Sequence, residues 1–300
     1  MKKFLKSIFL FNVPIVFFLF IILFLDPLNY FNYFNYFDDS KSKNYDYIIT
    51  HINDTKKKNK EILIFGDSRM DLLNPEIFQN KTKLTSSNFS IGGANFDEIY
   101  SMFWHIIKNN NRAKRIYIGL NSNLLTTNSF NRVDEKLLLT KNPIIFLISK
   151  SNLKASFYLL KNILYKNKFD LETPNFNFDD FWNYQLSSSA KNFFRTFNYN
   201  KSIEKKLLTI NDYCIKNSIE LNIVFPPTHI DLQNLASEFD IKIYQDNLIR
   251  NLKVKGLNVI NLDKPNEFTS NKYNFNDPFH FKQNLSSYVI DQIINYNIKM

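Results

Sequence analysis

The stretch EILIFGDSRM (61–70) passes from a run of apolar residues directly into a glycine, an acid, a serine and an arginine. A short apolar run that ends at a glycine is typical of a buried strand, and the polar residues that follow would lie at its carboxyl end. Ser68 is therefore a candidate nucleophile at a strand-to-helix switch. The alternative is an ordinary serine that caps the helix after the strand.

The pattern of a short apolar run followed by a helical stretch recurs along the chain. This alternation predicts an α/β protein, a flavodoxin-like three-layer sandwich with a five-stranded, mostly parallel sheet and a ligand site at the carboxyl ends of its strands. The five predicted strands are 61–65, 87–91, 115–119, 220–225 and 257–262, and the main predicted helices are 96–110, 201–217, 235–252 and 284–298.

The amino-terminal segment predicts a membrane anchor. MKKFLK supplies three lysines, and the nineteen residues that follow (7–25) carry no charge. A helix of that length is about 28 Å long, close to the ~30 Å hydrocarbon core of a bilayer. Basic residues before the span predict a single-pass protein whose catalytic domain is extracytoplasmic, on the periplasmic or cell-surface side. A cleaved signal peptide is the alternative.

The predicted domain organisation has three parts. Residues 1–28 form the anchor, residues 29–60 a polar, lysine-rich stalk, and residues 61–300 the α/β domain. Within that domain, residues 122–200 break the alternation of strands and helices, which predicts an insertion that forms a lid or a partner surface. Its first half reads as helical at 142–165, and its second half reads as a loop at 175–185.

Composition and charge exclude several classes of function. The net charge is +10, but the basic residues are scattered and no nucleic-acid-binding motif accompanies them, so we expect no nucleic-acid partner. Cys214 is the only cysteine and reads as a small core residue. The four histidines do not have the spacing of metal ligands, and we therefore predict no metal and no cofactor: they are His51, His105, His229 and His280.

The chain has only five glycines, and four of them fall at the ends of predicted strands. They are Gly66, Gly92, Gly93 and Gly119, whereas Gly256 precedes the last strand and reads as a tight turn. Each of the four is predicted to mark a place where the backbone needs a positive φ or a ligand approaches closely.

The segment NDPFHF (276–281) places Asp277 and His280 three residues apart on a turn stiffened by a proline. An aspartate so placed could fix the tautomer of the histidine, which would then act as general base toward a serine hydroxyl. The alternatives are a turn aspartate and a surface histidine. Serine catalysis also needs donors for the oxyanion, and the candidates are the N–H groups of Ser68 and Gly93 and the side-chain amide of Asn121. Gly92 and Asn123 are close alternatives.

Two further residues are candidates for binding the substrate. Arg69 follows Ser68 and could contact an anionic substrate, but an exposed or salt-bridged arginine is an equal alternative. His229, in FPPTH after the fourth predicted strand, would face the same end of the sheet, and the alternative there is a loop histidine. The GxSxG pattern of the α/β-hydrolases is absent.

Four short blocks resemble those of the SGNH, or GDSL-type, hydrolase family, in the family's order. The resemblance implies that Ser68 is the nucleophile, that Gly93 and Asn121 are oxyanion donors, and that Asp277 and His280 complete the triad. The chain departs from the family pattern at Arg69, where leucine is usual, and at Ser122, where aspartate is usual. The blocks are GDSR (66–69), NFSIGGAN (88–95), GLNS (119–122) and DPFH (277–280).

Together with the predicted anchor, the blocks are similar to those of proteins that serve O-acetylation of surface polysaccharides or D-alanylation of teichoic acids. This resemblance implies a serine acyl-esterase or acyltransferase that acts on envelope glycan, or on an acylated small molecule, through a seryl ester. It also implies an integral-membrane acyltransferase as a partner. The alternatives are a non-catalytic protein of the same fold that binds glycan or that acyltransferase, and a lipid esterase at the membrane surface.

Overall fold

The computed structural model describes residues 2–31, 39–54, 60–165 and 177–296. The chain divides into two compact units. Residues Met1–Lys58 and Arg132–Thr173 form the first, which we call the helical unit, and residues Asn59–Asn131 and Pro174–Met300 form the second, the sheet unit. The insertion predicted at 122–200 is thus shared between the two units.

The sheet unit contains the predicted parallel sheet. Its strands follow the order β2-β1-β3-β4-β5, and every neighbouring pair is parallel. This order is that of flavodoxin-like folds, and the α/β fold with a five-stranded parallel sheet is confirmed in the described residues. The strands are β1 (Ile62–Phe65), β2 (Ser86–Asn88), β3 (Arg115–Gly119), β4 (Glu220–Phe225) and β5 (Asn258–Asn261), and a separate antiparallel hairpin consists of β6 (Phe275–Asp277) and β7 (His280–Phe281).

Helices make up most of the remaining described structure. A π-helix (Gln185–Ala190) joins α9 to α10, and a 3₁₀ turn (Ser122–Leu125) follows β3. In chain order the helices are α1 (Lys2–Leu25), α2 (Asp39–Asp54), α3 (Ser68–Asp71), α4 (Pro75–Thr82), α5 (Phe96–Lys108), α6 (Arg132–Leu139), α7 (Pro143–Leu147), α8 (Lys150–Tyr165), α9 (Phe178–Tyr184), α10 (Lys191–Arg195), α11 (Ser202–Lys216), α12 (Ile230–Glu238), α13 (Ile241–Val254), α14 (Glu267–Ser270) and α15 (Ser286–Ile294).

The strands are apolar on both faces because helices pack against both sides of the sheet. Side chains alternate along a strand, so Ile62 and Ile64 share one face of β1, and they lie in one buried cluster with Phe78 of α4 and Val289 of α15. Phe65 points to the opposite face and contacts Phe103 of α5, at a ring distance of 5.6 Å. Helices therefore form layers on both sides of the sheet.

Two local predictions were wrong, and one element was missed. The predicted helix at 235–252 is the C-terminal part of α12 and most of α13, separated at Asp240, whose φ of 59° lies in the left-handed region that aspartate tolerates better than most residues. The hairpin of β6 and β7 was not predicted. The segment 175–185, predicted as a loop, contains α9.

The helix α9 forms because its ends and its buried face find partners. Asn177 caps it by accepting a hydrogen bond from the N–H of Asp179. Trp182 is buried, and its indole N–H donates to Asp231 Oδ2 of α12 at 3.0 Å. Tertiary packing therefore overrides the turn-like composition of this segment.

The helical unit has a small core of its own. Leu28, Tyr30, Ile49, Phe146 and Ala155 are buried together, and the rings of Tyr30 and Phe146 stack at 3.9 Å. Within the described residues, no helix combines the length and the apolarity that crossing a membrane requires. The anchor predicted at 1–28, and the localisation that rests on it, stay predictions.

Candidate active site

The register of the sheet brings the polar strand ends together. Phe65, the last residue of β1, pairs with Ile118 of β3, and Gly119 of β3 pairs with Val224 of β4. Because these strands are parallel, the loops that follow them leave the same edge of the sheet. Those loops carry Ser68, Asn121 and His229 respectively.

Ser68, His280 and Asp277 form a continuous chain of hydrogen bonds. Ser68 Oγ lies 2.7 Å from His280 Nε2, across 212 residues of sequence. His280 Nδ1 lies 2.8 Å from Asp277 Oδ2 and 3.0 Å from Oδ1. An ionised carboxylate only accepts hydrogen bonds, so Nδ1 carries the proton and Nε2 accepts from the serine hydroxyl. This is the tautomer that a general base needs.

The hairpin of β6 and β7 fixes the turn that carries Asp277 and His280. Asp277 Oδ1 accepts hydrogen bonds from the backbone N–H groups of Phe279 at 2.8 Å and His280 at 3.1 Å. The N–H of His229 donates to the carbonyl of Pro278 at 3.0 Å, which joins the turn to the loop after β4. The histidine is thus held by its own strand pair and by a neighbouring loop.

Within this group, the histidine is more open to solvent than the aspartate. The exposed fraction of its side chain is 31%, whereas that of Asp277 is 14%. Ser68 is half-buried. A reactant can therefore reach the serine and the histidine while the aspartate stays screened, and screening keeps its interaction with the imidazole strong.

The predicted oxyanion donors lie in well-defined loops. Ser68 is the first residue of α3, and the first N–H groups of a helix have no partner within it. Asn121 is buried, and its Nδ2 donates to Asp67 Oδ2 at 2.8 Å. An amide nitrogen has two hydrogens, so this bond uses one of them. Gly93 is exposed and has a φ of 62° in the turn where Ala94 N–H donates to the carbonyl of Ile91.

Two of the glycines serve packing within the protein. A Cβ at Gly66 would lie 2.4 Å from Met70 Cγ, and one at Gly119 would lie 2.0 Å from the same atom. Met70 is fully buried between these strand ends. The close approach predicted at Gly66 and Gly119 is therefore made by the Met70 side chain and not by a ligand.

Arg69 is buried, and its guanidinium binds other residues of the protein. Its Nη1 lies 2.6 Å from Asp67 Oδ2, and its Nη2 donates to Asn123 Oδ1 at 3.2 Å. The guanidinium also lies over the ring of Phe279, 5.4 Å from the centroid. These contacts favour the salt-bridged alternative, because Arg69 joins the loops after β1 and β3 to the turn that carries His280.

His229 also lies inside the fold. Its Nδ1 accepts a hydrogen bond from the N–H of Asp231 and so caps α12, and its ring packs edge-on against Trp182 and Phe275. Burial lowers the pKa of His229 below its usual value, which keeps the ring neutral and able to accept. His229 therefore stabilises the loop that holds Pro278.

Asp67 is the residue of this site that the sequence analysis did not single out. Its carboxylate accepts from the backbone N–H of Arg69 at 3.0 Å, from Arg69 Nη1 and from Asn121 Nδ2. An acidic residue directly before a helix-starting serine is a recognisable N-cap signal. Its bond to Asn121 spans 54 residues, and nothing in the local sequence indicates that contact.

Neither a metal site nor a reactive cysteine accompanies this chemistry in the described residues. In the part of the chain that the structure describes, no group of three or more His, Cys, Asp or Glu side chains could hold a metal ion. Cys214 is buried in α11, and burial raises the pKa of its thiol to about 12. The thiol therefore stays protonated and unreactive at neutral pH.

Comparisons with known proteins give structural neighbours only. No family model matches the chain, and no curated protein matches it by sequence. A proposed acylhydrolase from Bacteroides fragilis aligns with a TM-score of 0.46 at 9% identity, over 83% of this chain and 94% of that one. A GDSL-like lipase from Bacteroides thetaiotaomicron aligns with a TM-score of 0.40 at 10% identity, over 79% and 87%.

A third solved structure has similar values. A proposed lipolytic protein of the G-D-S-L family from Desulfitobacterium hafniense aligns with a TM-score of 0.41 at 9% identity, over 78% of this chain and 97% of that one. The chain is thus similar to several solved proteins named as GDSL-type or acyl-hydrolysing. At these scores and identities the likeness carries no argument about activity, which has to be argued from the side chains.

Proposed function

We propose that this protein is a serine acyl-esterase or acyltransferase that forms a seryl ester on Ser68. The observation that carries the proposal is the chain of hydrogen bonds from Ser68 Oγ through His280 to Asp277. A capping serine or a turn aspartate alone would not need a histidine placed between them. A nucleophile, a base and a group that orients the base are what serine catalysis requires.

The first half of the proposed reaction makes the ester. Ser68 Oγ attacks the acyl carbonyl while its proton passes to His280 Nε2, and the carboxylate of Asp277 stabilises the imidazolium that forms. The tetrahedral intermediate then collapses, the bond to the leaving alcohol breaks, and that alcohol takes the proton from His280. The acyl group remains on Ser68.

The second half of the reaction removes the acyl group. His280 Nε2 takes a proton from water or from a second hydroxyl, which attacks the seryl ester, and the proton returns to Ser68 Oγ. Water as acceptor gives an esterase, and a sugar hydroxyl gives an acyltransferase. The partial exposure of His280 supports access for either acceptor.

Three donors are proposed for the oxyanion of both tetrahedral intermediates. They are the N–H of Ser68, the N–H of Gly93 and the Nδ2 hydrogen of Asn121 that Asp67 does not bind. Loss of one such donor typically slows the reaction by about 10²–10³-fold. Asp67, held by Arg69, fixes the plane of the Asn121 amide and so supports the donor.

The substrate is proposed to be an O-acylated or O-acetylated polysaccharide of the cell envelope. Support comes from the uncharged run at 7–25 behind three lysines, which favours a membrane-anchored, extracytoplasmic enzyme, and from the resemblance of the four blocks. An integral-membrane acyltransferase that supplies the acyl group is part of the same proposal.

A fluorophosphonate probe tests the chemistry without knowledge of the substrate. We expect the purified protein to be labelled and the label to disappear in Ser68→Ala and in His280→Ala. Ser237→Ala is the matched control, because Ser237 Oγ donates to the carbonyl of Gln233 within α12 and does not contact His280 in the described structure. Undiminished labelling of folded Ser68→Ala would refute the proposal.

A second assay distinguishes the proposed substrates. Release of acetate from O-acetylated envelope polysaccharide is compared with release of fatty acid from phospholipid vesicles, with Ser68→Ala as the blank in both. We expect release from the polysaccharide alone. Release only from the vesicles would favour a lipid esterase.

A further inference from the structure

The hairpin of α7 and α8, in the helical unit, has an exposed apolar surface that the proposed chemistry does not use. We call it the α7–α8 face. The exposed fractions of its side chains lie between 53 and 73%. Exposed patches of several large apolar residues mark interaction sites in soluble and membrane proteins. The residues are Ile144, Ile145, Ile148, Phe157, Ile163 and Leu164.

The α7–α8 face is distinct from the core of the helical unit. Phe146 of α7 and Ala155 and Leu159 of α8 are buried, and Phe146 stacks on Tyr30. Each helix thus has one face packed inward, and Ile144, Phe157 and Leu164 of the α7–α8 face lie on other sides of the same helices. They cannot turn inward without removing the existing core from its contacts.

The charged residues within α7, α8 and the turn before them are all lysines. Residues 140–165 contain four lysines and no aspartate or glutamate. Lys154, Phe157, Tyr158 and Lys161 follow the i, i+3, i+4, i+7 spacing, so one side of α8 combines aromatic rings with ammonium groups. Interleaved lysines and large apolar side chains are typical of helices that lie at an anionic membrane surface.

The α7–α8 face also belongs to the same unit as another exposed apolar element. The helix α1 contacts both α7 and α8. Phe11, Phe17 and Phe20 of α1 are all largely exposed. The apolar surface of the helical unit is therefore not limited to a single helix.

We propose that the α7–α8 face lies in the interfacial layer of an anionic lipid membrane, with Phe157 and Leu164 at the level of the upper acyl chains and the lysines among the headgroups. A helix bound in this way enters the membrane to a depth of roughly 5–10 Å. Lipid fits better than a second copy of the chain, since pairing two such faces would bring lysines against lysines. This proposal does not depend on the chemistry at Ser68.

Site-specific labels on the full-length protein test the contact directly. Cys214→Ala removes the native thiol, and a single cysteine is then introduced as Ile148→Cys, Phe157→Cys or Leu164→Cys and labelled with an environment-sensitive fluorophore. The protein is bound to vesicles of phosphatidylglycerol and phosphatidylcholine that contain a lipid with a quencher at the top of its acyl chain. Ile215→Cys and Val254→Cys, exposed positions of the sheet unit, are the controls.

We expect the quencher to lower the emission of the three face labels by about twofold and to leave the two control labels unchanged, since only a label within the interfacial layer meets the top of the acyl chains. Because α1 could bind vesicles by itself, the comparison is made between labels on bound protein. Face labels quenched no more than the controls would overturn the proposal, as would failure of the full-length protein to bind the vesicles. Concentration-dependent protection of the face labels without lipid would overturn it in favour of a second copy.

The lysines are tested separately. In the combined variant Lys150→Gln, Lys154→Gln, Lys161→Gln, we expect quenching of the Phe157→Cys label on anionic vesicles to fall to the level found on pure phosphatidylcholine. Circular dichroism confirms that the variant is folded. Unchanged quenching would overturn the assignment to anionic lipid.

Discussion

The two units of this protein differ in how much of their apolar surface is buried. The sheet unit has an extensive buried core that includes Phe65, Phe78, Phe103 and Phe281, and its exposed apolar residues, such as Phe130 and Val254, are scattered over several elements. The helical unit buries a small cluster around Phe146 and leaves many isoleucines and phenylalanines in solvent. A packed core gives the sheet unit the rigidity to hold Ser68, His280 and Asp277 within hydrogen-bond distance of one another. Exposed apolar surface on the helical unit indicates an interaction site.

This difference gives opposite expectations for substitutions in the two units. Changes at the strand ends of the sheet unit should alter reaction rates with little effect on membrane contact. Changes in the helical unit should alter stability and the proposed membrane contact with little effect on the proposed chemistry at Ser68.

The largest effect is predicted for Asp277→Asn. The amide can donate to Nδ1 and so favours the tautomer with the proton on Nε2, which cannot accept the proton of Ser68. We predict a loss of about 10⁴-fold in kcat for hydrolysis of an activated ester, the size typical of this change in serine triads. A loss below tenfold in a folded protein would contradict the assigned role of Asp277.

The next effect is on stability, and it is predicted for Phe146→Ala. Removal of this buried ring leaves a cavity beside Tyr30, and truncations of this kind typically cost about 3–5 kcal/mol of unfolding free energy. We predict a lower midpoint of chemical denaturation followed by tyrosine fluorescence. At low denaturant, fluorophosphonate labelling of Ser68 should equal that of the unsubstituted protein.

Phe78→Ala is the matched substitution in the sheet unit. Phe78 is equally buried, beneath the sheet and against Tyr117 at a ring distance of 5.1 Å. We predict a similar loss of stability and, unlike Phe146→Ala, a lower denaturant midpoint for the loss of labelling. Equal effects of the two substitutions on labelling would break the distinction between the units.

A smaller effect is predicted for Asn121→Ala. This change removes one proposed oxyanion donor, so kcat should fall by about 10²–10³-fold while KM changes little. Arg69→Met should reproduce a part of that loss, because the Asn121 amide is held through Asp67. A pure rise in KM in either variant would instead indicate a role in substrate binding.

The smallest effect is predicted for the pH dependence of stability. Burial lowers the pKa of His229 in the folded state. At pH values between this lowered pKa and the usual pKa of about 6.5, the unfolded chain therefore binds more protons than the folded protein. Stability contributed by neutral His229 is therefore present above pH 6.5 and is lost as the pH falls, with a slope of at most about 1.4 kcal/mol per pH unit. His229→Asn, which retains a capping residue, should flatten that slope.

Four of the five strands could be predicted from sequence to within one residue because each is a short apolar run with a sharp end, whereas β2 is polar and ends three residues before the predicted end at 91. Glycine ends β1, and two prolines end the run that forms β4. The boundary between α12 and α13 was missed because Asp240 carries no strong breaker signal. The helix α9 was missed because its stability depends on the contact of Trp182 with Asp231, which is 49 residues away.

The site itself was only partly readable from the sequence. The structure brings Ser68, Asp277 and His280 together in the predicted order of hydrogen bonds. Their residue types, the strand end before Ser68 and the turn that carries Asp277 and His280 are local features of the sequence. The burial and the bonding partners of Arg69 and His229 could not be predicted from the local sequence. Burial of Arg69 depends on Asp67, Asn123 and Phe279, which come from three separate loops.

Mass spectrometry of the protein quenched with acid during turnover of p-nitrophenyl acetate tests the central claim most directly. We predict a mass increase of one acetyl group, located on the peptide that contains Ser68, which builds up within the first turnover and disappears when the ester is exhausted. The increase should be absent in Ser68→Ala and in His280→Ala. An acetyl group on another residue, or turnover of the ester by folded Ser68→Ala at the full rate, would contradict a seryl ester at Ser68.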